Sequence, residues 1–136
     1  MRKLIQKIFR KTSPKKQTDG LTQPQREAIV DLLNFCMYAD RRLSLAEDKF
    51  IADTAESLDW DENTSFDYIE ADSIAKARAA LGNPEARVEF LKSASLRLSS
   101  MGARARAIAL CAKLMATDGR SESEDTLLAE IRKHLS

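Results

Sequence analysis

Apolar residues recur every three to four positions along most of this chain, which is the spacing of one face of an α-helix. Short polar segments separate these stretches, and no stretch alternates apolar and polar residues as a strand does. The pattern predicts helices at 22–39, 44–59, 64–80 and 84–100, a fifth after Gly102, and a sixth at 121–135. We therefore expect an all-α fold, a single bundle of about six helices.

The apolar face of each helix supplies the predicted core. Its members are Ile29, Leu32, Leu33, Cys36, Phe50, Ile51, Ala55, Leu58, Phe66, Ile69, Ile74, Leu81, Val88, Leu91, Leu96, Leu98, Ile108, Leu110, Cys111, Leu114, Met115, Leu127, Leu128 and Leu135. Because Cys36 and Cys111 belong to this set, we expect two buried reduced thiols, with a bridge between them as the less favoured alternative.

Two helix starts are marked by capping residues. Thr22 and Gln25 have the spacing of a capping box, in which each side chain bonds the backbone N–H of the other. Gly82, Asn83 and Pro84 supply in turn a helix stop, a cap and a first-turn proline. These signals predict where the first and fourth helices begin.

Composition is ordinary for one globular domain: 136 residues, 43% of them apolar and 32% charged. The net charge is +1, but charge is unevenly distributed along the chain. Residues 1–16 carry seven Lys and Arg side chains and no acid, so the remaining residues have a net charge of −6. We therefore divide the chain into a basic arm and linker at 1–21 and a helical domain at 22–136.

Residues 2–10 have the pattern of a short amphipathic helix, with apolar Leu4, Ile5, Ile8 and Phe9 among cations. The alternatives for this arm are a solvated tail, a weak contact with a membrane surface or a protein partner, and a contact with nucleic acid. The interleaved apolar residues favour a membrane-associated partner or surface over nucleic acid. The cations that would make this contact are Arg2, Lys3, Lys7, Arg10 and Lys11.

The apolar run at the start of the chain is too short for a secretory signal. No segment of the sequence contains the roughly 20 consecutive apolar residues that are needed to span a bilayer. We expect a cytoplasmic protein, peripheral to the inner membrane if the arm binds there.

One helix-loop-helix pattern occurs twice in the sequence. Residues 37–47 and 115–124 each contain a Met, an Asp three residues later, and a Ser followed three residues on by Glu. The two copies align with an offset of 78 before the loop and 77 after it, so the second loop is one residue shorter. Such self-similarity indicates an internal duplication.

With these two motifs, residues 24–135 resemble the TerB family, the helical domain associated with tellurite resistance. Its members carry two segments of the form Ala-Asp-Gly, a few residues, then Glu. Here the segments are Ala39-Asp40 with Glu47 and Thr117-Asp118-Gly119 with Glu124 or Asp125, and Arg41 stands where the family usually has Gly. The resemblance implies a helical bundle with an acidic cluster at the two loops that binds a metal cation, and a role in stress response at the membrane.

Carboxylates that meet at two loops repel each other unless they are paired or bridged by a cation. Oxygen ligands of this kind suit Ca²⁺ or Mg²⁺, and Zn²⁺ is a further possibility. The alternative is that Ser44 and Ser121 cap helices and that the acids only complement these caps and the helix N-termini. The predicted metal ligands are Asp40, Glu47, Asp118, Glu122, Glu124 and Asp125.

The chemistry of the remaining residues points away from catalysis. The only histidine, His134, lies in the last turn of the last helix, and the sequence has no Gly-rich phosphate loop and no His/Cys metal cluster. The acidic segment 59–70 matches some ligand positions of a calcium loop, but Thr64 replaces its essential Gly, so we favour an inter-helix turn with Trp60 as a packing residue.

We therefore expect a non-enzymatic binding or scaffold module in a stress-response, tellurite-resistance-like or envelope-associated system. In the alternative, the chain is a structural adaptor that docks on a membrane or a protein partner through its basic arm and has no metal site.

Overall fold

The computed structural model describes residues 20–40, 45–58, 60, 64–117 and 122–135. The predicted all-α fold is confirmed, since these residues form six helices and no strand. The helices are α1 (Gln23–Asp40), α2 (Leu45–Ser57), α3 (Phe66–Ala80), α4 (Pro84–Leu98), α5 (Met101–Ala116) and α6 (Glu122–Leu135).

Helix α1 is the centre of the bundle and contacts each of the other five helices. Residues 28–37 are buried without interruption, so this helix has no solvent face over almost three turns. A helix enclosed on every side is a core helix rather than a surface helix. Each large apolar side chain that it buries, such as Ile29 or Phe35, contributes about 1.5–3 kcal/mol.

Two polar residues, Asp31 and Asn34, lie within this enclosed stretch and are at most 1% exposed. Oδ2 of Asp31 lies 3.0 Å from Nζ of Lys76 and 2.8 Å from Nη2 of Arg97. Nδ2 of Asn34 donates to Oγ of Ser73 at 3.1 Å. Because buried polar groups need partners, these contacts specify how α3 and α4 pack on α1.

A second set of contacts joins α1, α4 and α6. The rings of Phe35 and Phe90 stack with centroids 5.1 Å apart, and the Arg87 guanidinium lies 5.2 Å from the Phe35 centroid. Arg87 also donates two hydrogen bonds to the Glu130 carboxylate, at 2.9 and 2.8 Å. The hydrogen bond to Glu130 raises the pKa of Arg87 above its ordinary value, against the effect of burial. A bidentate pair of this kind orients both helices.

The helix starts agree with the capping signals. The backbone N–H of Thr22 donates to Oε1 of Gln25 at 2.9 Å, and the N–H of Gln25 donates to Oγ1 of Thr22 at 3.3 Å, so the capping box is confirmed. Asn83 caps α4 by accepting from the N–H of Ala86 at 2.7 Å, with Pro84 in the first turn. Ser44 and Ser121 lie outside the described residues.

Most of the predicted core is buried, and both cysteines are buried free thiols, as expected. The prediction was wrong for two residues of α4, since Val88 is 40% and Leu96 is 76% exposed. The inward face of α4 carries Phe90, Leu91, Ala94 and Leu98. Leu96 follows Ala94 by two residues, or about 200° around the helix, and therefore points away from the core.

We expect Asp31→Ala to lower the free energy of unfolding by about 2 kcal/mol, because Lys76 and Arg97 lose the carboxylate that compensates them at the helix interface. Urea denaturation followed by circular dichroism measures this change. Asp72→Ala is the matched control, since Asp72 also pairs with Lys76 but is 53% exposed; we expect a change below about 0.5 kcal/mol. Equal losses in the two variants would contradict a special role for Asp31.

Candidate functional site

The two acidic loops of the sequence prediction follow α1 and α5. Helix α1 ends at Asp40 and α6 begins at Glu122. The side chains of Asp40, Glu122 and Glu124, and the whole of Asp118, lie outside the described residues. Of the six predicted ligands, the structure therefore places the side chains of Glu47 and Asp125.

Helices α1 and α5 begin side by side. Nε2 of Gln25, in the first turn of α1, donates to the carbonyl oxygen of Leu98 at 3.0 Å and to Oγ of Ser99 at 3.2 Å. Helix α5 starts only two residues after Ser99, and it packs along α1. Since the two helices have similar lengths, their C-terminal ends, from which the two loops continue, lie toward the same end of the bundle.

The burial of matched residues follows the internal repeat. Met37 and Met115, one turn before the loops, are 4% and 1% exposed. After the loops, Ile51 of α2 and Leu128 of α6 are at most 1% exposed. Leu58 and Leu135, the next matched pair, are at most 2% exposed. Each copy therefore presents its apolar face to the same core.

The two described acids of the predicted site differ in environment. Glu47 lies in the first turn of α2 and is only 1% exposed, whereas Asp125, near the start of α6, is exposed. A carboxylate in the first turn is favoured by the helix dipole. Burial of a carboxylate also demands compensation by hydrogen bonds or by a cation, and Glu47 is buried where α2 packs on α1 and α5.

Within the part of the chain that the structure describes, no three His, Cys, Asp or Glu side chains come together in a group able to hold a metal ion. The predicted cation site depends on Asp40 and Asp118, whose side chains are not described. It therefore remains a prediction.

An apolar groove that the sequence pattern did not predict lies between α2 and the start of α3. The groove has a volume of about 250 Å³ and is lined by Ala52, Ala55, Glu56, Trp60 and Phe66. Trp60 meets Phe66 edge to face with centroids 5.3 Å apart, and its Nε1 donates to the carbonyl oxygen of Thr64 at 3.0 Å. Trp60 is thus a packing residue, as predicted, and also a wall of this α2–α3 groove.

Carboxylates lie beside the lining residues of the groove on both helices. Asp48 and Glu56 lie four residues before and after Ala52, and Glu70 lies four residues after Phe66, so each acid shares a helix face with a lining residue. Burial raises the pKa of Glu70, and the charges of Asp48 and Asp67 raise it further. We call Asp48, Glu56, Asp67 and Glu70 the acidic rim.

The groove could have been anticipated only in part. The acids and the small residues of α2 recur at helical spacing, which indicates one face of the helix. Which face of α3 lies opposite them depends on how both helices pack on α1.

The other predicted contact residues, Arg2, Lys3, Lys7, Arg10 and Lys11, lie outside the described residues. The helices that the structure does describe include none with the length and apolar character needed to cross a membrane. Comparison with protein-family models, with curated proteins and with solved structures finds no match for this chain.

We expect Glu70→Gln to stabilise the protein at neutral pH. Because the folded pKa of Glu70 is raised, its contribution to stability is present below the ordinary value of 4.5 and is lost as pH rises through the folded value. The gain at pH 7 should be about 0.5 kcal/mol, since the exposed rim charges are screened by solvent. Denaturation at several pH values should show the gain disappearing on acidification.

Glu89→Gln is the control for this comparison, because it removes the same charge from the exposed face of α4. A gain that is independent of pH, or one that Glu89→Gln reproduces, would contradict mutual repulsion at the acidic rim.

Proposed function

We propose that this chain is a non-enzymatic, TerB-like binding or scaffold module of a stress-response or envelope-associated system, and that it binds a divalent cation at its two acidic inter-helix loops. One observation carries the proposal. Helices α1 and α5 start together at Gln25 and Ser99 and pack on each other, which supports a common end for the two loops that follow them in the sequence.

The loops carry the donors that a hard cation needs. Ca²⁺ takes six to eight oxygen ligands, and Mg²⁺ is held by one or two carboxylates with water. Asp40 and Glu47 flank the first loop, and Asp118 and Glu124 flank the second. An ion bound by both loops would join the α1–α2 pair to the α5–α6 pair. Cation binding would therefore stabilise the packing of the two pairs at one end of the module.

The chemistry of the other residues supports a binding role rather than catalysis. Both thiols are at most 1% exposed, so neither is accessible as a nucleophile. His134 lies in the last turn of α6, where Nδ1 is 3.1 Å from the carbonyl oxygen of Glu130. This position suits a group that complements the helix C-terminus.

A second candidate function is that of a structural adaptor, for which the charge distribution is the specific support. Residues 1–16 carry +7 while the rest of the chain carries −6. A cationic arm with apolar residues on one side suits a weak contact with an anionic membrane surface or a membrane-associated protein. In this function the two loops serve only as helix caps.

The cation proposal is tested by thermal unfolding of the full chain with Ca²⁺, Mg²⁺ or Zn²⁺. A cation at ten times its Kd should add about 1.4 kcal/mol and raise the midpoint by about 5 °C. The double variant Asp40→Asn/Asp118→Asn should lose this shift. Asp72→Asn/Glu89→Gln makes the same change in net charge on α3 and α4 and should retain it. Unmutated protein that shows no shift at about 10 mM cation would exclude the site.

The adaptor function is tested by co-sedimentation of the full chain with vesicles that contain anionic lipid. We expect binding that weakens as salt is raised, because contacts between exposed charges are screened. Replacing Lys3, Lys7 and Arg10 by Gln should remove most of it, and replacing Lys92, Arg106 and Lys113 of the body should not. If both triple variants bind equally well, the arm is not the lipid contact.

A further inference from the structure

The α2–α3 groove has the chemistry of a receptor for a cationic amphipathic segment. Its walls are apolar and aromatic, since they are built from Ala52, Ala55, Trp60 and Phe66. The acidic rim surrounds them with carboxylates, of which Asp48, Glu56 and Asp67 are exposed. Among the charged residues of α2, only Lys49 is basic, and it pairs with Asp53 at 2.9 Å. A ligand for this surface needs apolar side chains flanked by positive charges.

The chain carries such a segment in its own arm. In residues 2–10, Leu4, Ile5, Ile8 and Phe9 have the spacing of one helical face, and the remaining residues apart from Gln6 are Lys or Arg. The opposite net charges of residues 1–16 and of the rest of the chain, +7 and −6, favour their association.

The position of the groove also suits this segment. Nε of Arg26, in the first turn of α1, donates a hydrogen bond to the carbonyl oxygen of Leu58. Leu58 directly follows α2, one turn after Ala55 of the groove wall. The end of α1 to which the arm is joined therefore lies beside the end of α2 that borders the groove.

The connection is long enough. Residues 11–21 reach at most about 40 Å when fully extended, whereas a domain of this size has a radius of gyration of about 13 Å. The arm can therefore reach the groove without any displacement of the helices.

We propose that residues 2–10 dock as an amphipathic helix in the α2–α3 groove of the same molecule. Leu4, Ile5, Ile8 and Phe9 face Trp60 and Phe66, and the cations of the arm meet the acidic rim. The contact is intramolecular, so the arm experiences an effective concentration in the millimolar range. An intrinsic Kd of about 1 mM is then enough to keep roughly half of the molecules docked.

Docking in the groove limits the binding of the arm to other surfaces. The same four apolar side chains cannot contact the groove and an anionic membrane at once, so lipid and groove compete for the arm. This inference does not depend on the cation site, because the groove and the acidic rim lie on α2, on α3 and at Trp60 between them, and not in the two loops.

A fluorescent label tests the contact in the full chain. Trp60 is the only tryptophan, and the two native thiols are buried, so a cysteine at position 9, on the apolar face of the arm, can be labelled selectively with bimane, a fluorophore that tryptophan quenches on contact. We expect labelled Phe9→Cys, in which the apolar bimane replaces the Phe9 ring on the docking face, to be quenched, and the further change Trp60→Phe to restore its emission by about 1.5-fold or more, as half-docking predicts. Phe keeps an aromatic ring against Phe66.

The control variants are matched in charge. Ile8→Asp places a carboxylate on the apolar face of the arm and should abolish the quenching, whereas Thr12→Asp introduces the same charge outside residues 2–10 and should leave most of it. Salt at about 1 M should weaken the quenching, because the Debye length falls to about 3 Å.

Three results would overturn the proposal. The first is emission that Trp60→Phe leaves unchanged, which would mean that the arm does not occupy the groove. The second is quenching that falls on dilution or on mixing with excess unlabelled chain, which would assign the contact to a second copy. The third is quenching that survives Ile8→Asp, which would show that the apolar face of the arm does not make the contact.

Discussion

The complete burial of residues 28–37 of α1 is the constraint on which the rest of the structure depends. A helix without a solvent face must find partners for every polar side chain that it carries, because an uncompensated charge in the interior is far more costly than a lost apolar contact. Asp31 meets Lys76 and Arg97, and Asn34 meets Ser73. These partners belong to α3 and α4, so compensation of two buried polar groups also determines how those helices are rotated and positioned. Removing one partner of such a contact leaves a buried polar group uncompensated, so the loss of stability exceeds the net contribution of the contact. These contacts therefore favour one packing arrangement of the helices over others.

The two outer features of the molecule follow from this arrangement. Helix α2 packs on α1 and α5, while α3 packs on α1 and α4. Because each is held by a different neighbour as well as by α1, the space between them forms a groove, into which Trp60 and Phe66 project. The common starting point of α1 and α5, at the hydrogen bonds of Gln25, likewise places the C-terminal ends of these two helices toward one end of the bundle. The groove and the loops are therefore separate consequences of a single packing scheme.

The proposals for the loops and for the arm address the same excess of negative charge. Residues 17–136 carry −6, and many of their acids lie around the loops and along the groove. A divalent cation at the loops and the cationic arm at the acidic rim would each compensate part of this charge. Burial raises the pKa of Glu70, and repulsion from Asp48 and Asp67, which such compensation would relieve, raises it further.

Some properties of this protein were determined by its sequence alone. The helix boundaries agree with the predicted ones within about two residues, because apolar periodicity, capping boxes and Gly-Asn-Pro stops act over a few neighbouring positions, as at Thr22 and Asn83. The burial of Cys36 and Cys111 followed from the same periodicity. Only the tertiary structure decided that Asp31 is a buried anchor, that Leu96 faces solvent, and that α2 and α3 border a groove. These outcomes depend on which helices meet and at what rotation, and that is decided by contacts between residues far apart in the chain, such as Asp31 with Arg97 and Arg26 with Leu58.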